Sequence, residues 1–527
     1  MSSAVLEEEH QLNDDWAKFY YAPPLRMQSS TDADKAAVVE LPSFIDLQSA
    51  TRQYREMAEG AVKKLAMSHE VALRTEEIFF PIRDHTAESK SQSSIQRTSL
   101  SHHLEKKISK TAELLEHNAF VLEEILKPFP ISSLLESSKV EFHDICPSFT
   151  AEAPSADYSL ARYIPPHDGT TKANGDNVNE EQPYKEAVQI IAHLTRDWSK
   201  EGAVIRDEIY GWIKEQLWRH HYEMILTAES AVMTSPLSPI LIPGAGIGRL
   251  AFDIAFAHDE ECTSDCFVPY PFAVEAMDNS LTMAAAAHHL FHAHECDVVF
   301  RNGNITNIHG QLKLYPFVSD SHTNEVDTQR RWDSVEIPEE SVMKHLHNLH
   351  EQLHHQRPKL SYTIGDFVTT YSSPSKRRKY GSLVSLFFID TATNIYEYIL
   401  TIRHLLRNGG VWVNLGPVQW HSNSQLHPAT NELREMIQSV GFQVKHWEIS
   451  EKLVAYRHPD DLDSSHSQER GSRSTRSEAY RPLKFVAVLK YDKSSENSQN
   501  ECLLSSIQKV RLMTGRRSIA NLDNITR

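Results

Sequence analysis

The pattern of apolar residues along the chain changes character near residue 240. Before that point, from Leu41 to about Lys127 and again from Tyr184 to Leu217, apolar side chains recur at helical spacing. After it, short apolar runs alternate with helical segments, which is typical of a parallel sheet covered by helices on both faces. We therefore predict an α/β, doubly wound fold with an N-terminal helical region.

The apolar runs predict the strands, and the segments between them predict helices at Ser280–Phe291 and Ile395–Leu406, the latter with Asn408-Gly409-Gly410 as its stop. The last two strands, joined by a long polar loop, predict a closing antiparallel hairpin. Residues 302–360 are predicted as an irregular insertion that carries a histidine-rich helix at Glu340–Gln356. The predicted strands lie at 240–243, 272–277, 360–367, 383–390, 411–417, 443–448 and 483–490.

Four regions follow from this pattern. Residues 1–40 are acidic and aperiodic, and we expect a loose leader there. Residues 41–235 are mainly helical apart from a surface loop at 150–182, and their last helices are expected to cover a ligand. The α/β domain occupies 236–490. The tail, 491–527, is expected to be mostly disordered, with a short helix at 503–513.

The turn after the first strand carries the first chemical signal. Gly244, Gly246 and Gly248 permit positive φ and let backbone N–H groups approach a ligand at the positive end of the following helix. The spacing is G-x-G-x-G, whereas the dinucleotide fingerprint is G-x-G-x-x-G. This spacing favours S-adenosylmethionine over NAD, with a simple tight turn as the alternative.

Acidic residues end the next two predicted strands. Asp278 could accept hydrogen bonds from both ribose hydroxyls of an adenosine cofactor, or could instead cap the helix that follows. Asp366 could accept from the adenine amino group while Phe367 packs on the base. The alternative for this pair is a turn aspartate and a core phenylalanine.

Bulk composition narrows the class of protein. The formal net charge of −17 argues against a general nucleic-acid or membrane-surface binder, and no apolar run approaches membrane-spanning length. Five cysteines without a C-x-x-C pair indicate neither a disulfide framework nor a cysteine zinc site. We expect a cytoplasmic protein without nucleic-acid or membrane partners; the sequence leaves a homodimer open.

Two further motifs have plain alternatives. His288 and His292 share one helix face, but without a third ligand we predict a surface pair and no metal site. The run Lys376-Arg-Arg-Lys379 could be a nuclear address, although a solvated loop between strands is favoured.

Several long motifs resemble the carnosine N-methyltransferase family, in which S-adenosylmethionine methylates an imidazole nitrogen of the dipeptide carnosine to give anserine. The resemblance runs over roughly residues 45–490 and implies a seven-stranded Rossmann-like methyltransferase sheet. The motifs are Arg196-Asp-Trp-Ser, Pro243-Gly-Ala-Gly-Ile-Gly-Arg-Leu, Gly365-Asp-Phe, Phe387-Phe-Ile-Asp-Thr-Ala-Thr-Asn and Asn408-Gly-Gly-Val-Trp-Val-Asn-Leu-Gly-Pro.

The resemblance also implies roles for individual residues. Arg196 would bind the methionine carboxylate of the cofactor beside the glycine turn, and His193 stands where the family has glutamine. The other implied cofactor residues are Asp278, Asp366, Phe367 and Ser382, the last matching a cysteine near the base. The implied substrate residues are Asp390 for the imidazole, Asn414 as a wall between the two sites, His421 and Tyr480.

The chemistry suits these roles, because a neutral imidazole is already nucleophilic near neutral pH and mainly needs orientation. Asp390 and His421 are the candidate catalytic residues. Asp390 can accept the second ring N–H and balance the developing imidazolium charge. Its alternative role is an N-cap of the helix near residue 392, and His421 could be an ordinary loop histidine.

The sequence departs from the family on the substrate side. Residues 426–433 replace a family Ser-Ile-Glu-Leu-Ser segment, and a tyrosine cluster is reduced to Tyr480. Three functions therefore stay open: methylation of a small histidine-containing dipeptide, methylation of histidine in other peptides or proteins, and a non-catalytic cofactor-binding scaffold or nicotinamide enzyme.

Overall fold

The fold was examined in a computed structural model. All the residues that it describes belong to Pro42–Arg527, one of the two compact units of the chain. The leader at 1–40, the tail helix at 503–513 and most of the segments at 150–182 and 340–356 lie outside the described residues. The structure describes residues 45–79, 100–127, 129, 132–133, 148–151, 186–227, 239–256, 272–292, 311–319, 325–342, 360–456, 458 and 479–490.

The described helical region before the central strands consists of two long helices and a third that is interrupted by a π-helical turn. Tyr54 of the first is fully buried, and its hydroxyl accepts from Asn118 Nδ2 of the second at 3.1 Å. The third helix continues into a π-helical turn, Leu194–Trp198. The α-helices within the described residues are α1 Ile45–Phe79, α2 Leu100–Ile125, α3 Glu186–His193, α4 Ala203–Thr227, α5 Arg249–Ala255, α6 Leu281–Phe291, α7 Phe367–Tyr371, α8 Ile395–Leu405 and α9 Thr430–Ser439.

The sheet confirms the predicted α/β class. Its strands in spatial order are β1 Ser132–Ser133, β2 Ser148–Ala151, β7 Leu360–Ile364, β4 Val274–Asp278, β3 Ile240–Pro243, β8 Tyr380–Leu386, β9 Leu406–Gly416, β13 Leu483–Leu489 and β10 Phe442–Ile449. All pairings are parallel except those of β13, which runs antiparallel to both β9 and β10. The last seven strands in this order match the expected seven-stranded sheet with its closing hairpin.

The observed elements differ from the predicted ones in three places. Two short strands, β1 and β2, extend the sheet, and β2 overlaps the start of the segment predicted as a loop at 150–182. Helix α8 ends at Leu405, and β9 begins directly after it, so Asn408-Gly409-Gly410 belongs to the strand. The insertion also contains a regular antiparallel pair, β5 Leu312–Leu314 with β6 Val335–Ile337. A further pair joins β11 Val454–Ala455 to β12 Ala479–Tyr480.

The central strand β3, which leads into the glycine turn, lies in the core. All four of its residues are buried, and successive side chains enter different clusters: Ile240 and Ile242 belong to one core and Leu241 to the other. Since side chains alternate across a strand, both faces of the sheet are covered. Within the described residues, no helix combines the length and apolarity needed to cross a membrane.

Candidate functional site

The glycine turn after β3 has the predicted conformation. Gly244, Gly246 and Gly248 have φ of 65°, 55° and 78°. A Cβ at Gly244 would lie 2.5 Å from Phe388 Cδ2, and one at Gly246 would lie 3.3 Å from His193 Nδ1. The backbone of Gly244 lies so close to Phe388 that only glycine fits there.

Asp278 ends β4 beside the glycine turn. Its Oδ2 accepts from Gly246 N–H at 2.9 Å and its Oδ1 from Ser280 N–H at 3.0 Å. The following helix is capped by Ser280, which accepts from Met283 N–H, so Asp278 is not the N-cap. Burial raises the pKa of Asp278 against the opposing effect of these backbone donors. A carboxylate has about four acceptor positions, which leaves capacity for a ligand hydroxyl.

Arg196 lies on the π-helical turn, a conformation that is frequent at functional sites. Its Nε donates to Asp197 Oδ1 at 2.7 Å, and its Nη2 donates to Asp197 Oδ2 at 2.9 Å. Tyr210 hydroxyl also donates to Asp197 Oδ1, at 2.9 Å. Burial alone would raise the pKa of Asp197, but the Arg196 charge and the hydrogen bonds hold it well below its usual range.

The third nitrogen of Arg196 distinguishes it from an ordinary buried ion pair. Nη1 has no hydrogen-bonding partner among the described residues, and it is not fully buried. The guanidinium is flanked by the rings of Phe387 and Tyr456, at 5.3 and 5.0 Å from the ring centroids. Arg196 thus presents one open donor in a fixed orientation, which suits a carboxylate ligand.

His193 completes this corner. Its Nδ1 lies 3.0 Å from Arg196 Nη2 and 3.3 Å from Asp197 Oδ2. The shorter contact, with Arg196, requires Nδ1 to accept because arginine can only donate, whereas the contact with the Asp197 carboxylate would require Nδ1 to donate. Burial and the adjacent Arg196 charge both lower the pKa of His193, in agreement with a neutral ring.

Asp366 and Phe367, the residues expected around adenine, have partners within the fold. Asp366 is exposed and is the N-cap of α7, with its Oδ1 accepting from Thr369 N–H at 2.8 Å. Phe367 is 2% exposed and packs against Phe388 and Tyr398. The alternative of a turn aspartate and a core phenylalanine therefore describes their present contacts, and their adenine-binding role stays a prediction.

Ser382 does not reach this edge. It pairs with Ile240, the first residue of β3, whereas the glycine turn follows the last residue of that strand. Strands rise about 3.3 Å per residue, so Ser382 lies at the amino end of the sheet. This register does not bring Ser382 to the glycine turn, and its role near the base stays a prediction.

Asp390 lies just beyond the carboxyl end of β8 and is 5% exposed. Its Oδ2 accepts from Gln419 N–H at 3.1 Å, and its backbone carbonyl accepts from His421 N–H at 3.1 Å. The N-cap of α8 is Asn394, so the helix-cap alternative for Asp390 is wrong. Burial raises the pKa of Asp390, while the nearby Gln419 N–H and His421 lower it.

Asn414 and Tyr480, also predicted as substrate residues, lie in different surroundings. Asn414 is 1% exposed, and its amide accepts from Ser385 Oγ at 2.7 Å and donates to Leu483 O at 3.2 Å. It ties three strands together, and its role as the wall between two sites stays a prediction. Tyr480 belongs to β12, and its ring lies 5.9 Å from that of Tyr456, the aromatic side chain over Arg196.

Several residues of this edge belong to the motifs of the sequence analysis but received no role there. Phe387 has φ of 51°, a strained value for a phenylalanine that turns the chain sharply after β8. Phe388 covers Gly244 and stacks on Tyr398 at 4.8 Å, and burial raises the pKa of Tyr398 to about 12. Asp197 could have been found, because it adjoins Arg196 in a quoted motif.

Lys376-Arg-Arg-Lys379 is part of the fold. Lys379 Nζ donates to Glu275 Oε2 at 3.0 Å, and the Lys376 ammonium lies 5.3 Å from the centroid of the Tyr371 ring. Arg378 N–H donates to His404 O at 2.9 Å. The run is a structured loop between strands, as favoured.

The sheet order, the glycine turn at its carboxyl edge and the closing hairpin define a methyltransferase-type α/β fold. The chain belongs to the carnosine N-methyltransferase family, whose model, described as "Carnosine N-methyltransferase", matches residues 174–274 and 302–487. These segments are more than half of the 527 residues.

Individual proteins give the same family. The carnosine N-methyltransferase of Schizosaccharomyces pombe is 28% identical over 268 residues, which are 48% of this chain and 61% of that protein. Carnosine N-methyltransferase unmet of Drosophila melanogaster is 25% identical, over 54% of this chain and 55% of that protein. The chain thus spans less than two thirds of these relatives. Among solved structures, a magnesium protoporphyrin IX methyltransferase from Synechocystis PCC 6803 is 13% identical, covers 60% of this chain and 87% of its own, and has a TM-score of 0.26.

Proposed function

We propose that this protein is an S-adenosylmethionine-dependent N-methyltransferase that acts on an imidazole nitrogen of carnosine to give anserine. The observation that carries the proposal is the arrangement along one sheet edge: an open arginine donor, a glycine turn, the Asp278 carboxylate and the buried Asp390 carboxylate. The carboxyl edge of such sheets is where ligands bind. Family membership supports the particular chemistry.

The residues present fit the cofactor at both ends. Arg196 Nη1 would bind its carboxylate, and Asp278 would accept from its ribose hydroxyls beside the Gly244–Gly248 turn. When bound, S-adenosylmethionine supplies a methyl group on a positively charged sulfur. The flanking Phe387 and Tyr456 rings keep the Arg196 guanidinium in one orientation, which reduces the entropy lost on binding.

Asp390 would orient the substrate. Its carboxylate receives one hydrogen bond from another described residue, Gln419, so acceptor capacity remains for an imidazole N–H. A carboxylate that accepts this hydrogen bond fixes the tautomer of the ring and directs the lone pair of the opposite nitrogen to the methyl group. Its negative charge also balances the positive charge that forms on the imidazolium. The N–H proton that the product must lose is then already held by a carboxylate. The loop with His421 is joined by its backbone to Asp390 and would contact the substrate.

The second candidate is methylation of histidine in other peptides or proteins. The loop residues His421, Ser422 and Asn423 and the substituted segment from Leu426 are largely exposed, which supports an open substrate side. A non-catalytic scaffold is disfavoured by the buried carboxylate at Asp390, because an unused carboxylate with so few partners is costly to bury.

Mass spectrometry after incubation with methyl-labelled S-adenosylmethionine tests the substrate. We expect transfer of one labelled methyl group to carnosine and none to β-alanyl-alanine, which lacks the imidazole. Labelling of histidine-containing peptides without labelling of carnosine would replace the first candidate by the second. Cofactor binding without transfer to any imidazole compound would overturn both.

Asp278→Ala is expected to weaken S-adenosylmethionine binding by at least about tenfold in calorimetry, because hydrogen bonds to a charged acceptor contribute about 1.5–3 kcal/mol each. Ser280→Ala is the matched control: it removes the N-cap of α6, with a stability loss of about 1 kcal/mol, but leaves the carboxylate in place. We expect NAD to bind neither protein. Equal affinities for S-adenosylmethionine in wild type and Asp278→Ala would contradict the assignment.

A further inference from the structure

Glu339 lies two residues beyond β6, in the segment that the sequence pattern predicted as irregular. It is 9% exposed and forms two ion pairs. Its Oε2 accepts from Arg206 Nη2 at 2.9 Å, and its Oε1 accepts from Arg249 Nη2 at 2.6 Å. One carboxylate of the insertion therefore joins the start of α4 to the helix that follows the glycine turn.

The same two arginines hold the backbone of the turn that carries Arg196. Arg206 Nη1 donates to Arg196 O at 2.8 Å and to Ser199 O at 2.7 Å. Arg249 Nη1 donates to the carbonyl of Asp197 at 3.0 Å. The Glu339 N–H donates to Trp198 O at 2.8 Å. Four successive carbonyls, at 196–199, thus receive their hydrogen bonds from Glu339 or from arginines that it binds.

This arrangement solves the usual problem of a helix end. The last carbonyls of a helix have no intrahelical donors and must be satisfied by other groups. Here the donors are two buried arginines and the Glu339 N–H. The Glu339 carboxylate balances the charge of both arginines, and Asp253 is a second partner of Arg249. The turn is also closely packed against Gly202, because a Cβ at that position would lie 2.0 Å from Arg196 O.

We propose that Glu339 is a positioning residue for the cofactor: through Arg206 and Arg249 it fixes the Leu194–Trp198 turn, and thereby the direction of the open Arg196 donor. The inference rests on the proposed function, since it takes the cofactor carboxylate as the ligand of Arg196. Glu339 itself need not touch the cofactor.

Calorimetry with S-adenosylmethionine tests the proposal on the full chain. Glu339→Gln is expected to raise the dissociation constant about tenfold, because residues in one hydrogen-bond network are energetically coupled. Glu325→Gln is the matched control, because Glu325 also pairs with two cations, Lys107 and Arg331, but contacts no residue of the turn. A purely structural role predicts similar losses of Tm in both variants and an unchanged dissociation constant, which would overturn the proposal.

A second measurement separates positioning from general damage. Because Glu339 acts through Arg196, the effect of Glu339→Gln on the dissociation constant should largely vanish in an Arg196→Lys background. Steady-state kinetics should show a raised KM for the cofactor with kcat at saturation nearly unchanged. Additive effects of the two substitutions would overturn the proposal. If wild type binds no S-adenosylmethionine, the proposed function itself fails, which is a distinct result.

Discussion

Asp390→Asn is expected to lower kcat by about 10²–10³ while the affinity for S-adenosylmethionine stays nearly intact. An amide can still hold the imidazole through one hydrogen bond, but it cannot balance the positive charge that forms on the ring, and lost electrostatic stabilisation of this kind costs about that much. Cofactor affinity is expected to persist because the hydrogen bonds of the Asp390 carboxylate and carbonyl go to Gln419 and His421, outside the glycine turn. Steady-state turnover and calorimetry measure the two quantities separately.

Asn394→Ala is the control for this prediction. It removes the N-cap of α8, the helix next to Asp390, and is expected to cost about 1 kcal/mol of stability with little change in turnover. The comparison separates a loss of helix stability from a loss of charge at the substrate. Wild-type turnover in Asp390→Asn, on a substrate that the wild type methylates, would remove Asp390 from the mechanism.

Arg196→Ala is expected to abolish measurable cofactor binding and to destabilise the fold by about 3–5 kcal/mol, because it leaves the Asp197 carboxylate buried without its cation. Chemical denaturation measures the stability, and calorimetry measures the binding. Arg55→Ala is the control, since Arg55 forms its ion pairs at the surface, where such pairs contribute about 0–1 kcal/mol. Similar stability losses in the two variants would contradict the buried role.

The same substitution should reverse the pH dependence contributed by Asp197. In the wild type the pKa of Asp197 is depressed, so its stabilisation is complete above the ordinary carboxyl pKa of 3.8 and declines only as acid is added. Without Arg196, burial raises that pKa, the folded state binds the extra proton, and stability falls as pH rises above the ordinary carboxyl pKa of 3.8. Adding Asp197→Asn to the Arg196→Ala variant should remove this slope; its persistence would assign the slope to another group.

The identity of the strands and of the glycine turn was within reach of the sequence because both depend on local physics. The apolar run at Ile240–Ile242 before a glycine turn is typical of a strand buried on both faces, and glycine is favoured at 244, 246 and 248, where φ is positive. The N-cap residues of the helices were harder to identify from the sequence. Asp278 and Asp390 each stand near a helix start, but Ser280 and Asn394 form the caps, which releases both carboxylates for other partners.

Sequence reasoning says least about residues whose environment depends on neighbouring strands. Ser382 and Asn414 were assigned by correspondence to the family, yet strand register carries Ser382 to the amino end of the sheet and buries Asn414 between Ser385 and Leu483. A shift along a parallel strand cannot be read from composition, since register is decided by pairing with strands distant in sequence.

The sequence by itself determined the fold class, the glycine turn and the positions of the acidic residues at strand ends, because periodicity and backbone conformation are properties of short segments. The tertiary structure alone decided which groups meet. Asp197 takes two nitrogens of Arg196 and leaves Nη1 open, Tyr456 covers the guanidinium, and Glu339 reaches the same turn from an insertion about 140 residues away in the chain. Such partnerships form because buried charges and helix-end carbonyls must each be compensated by whatever group the packing brings near, and no local pattern in the sequence identifies that group.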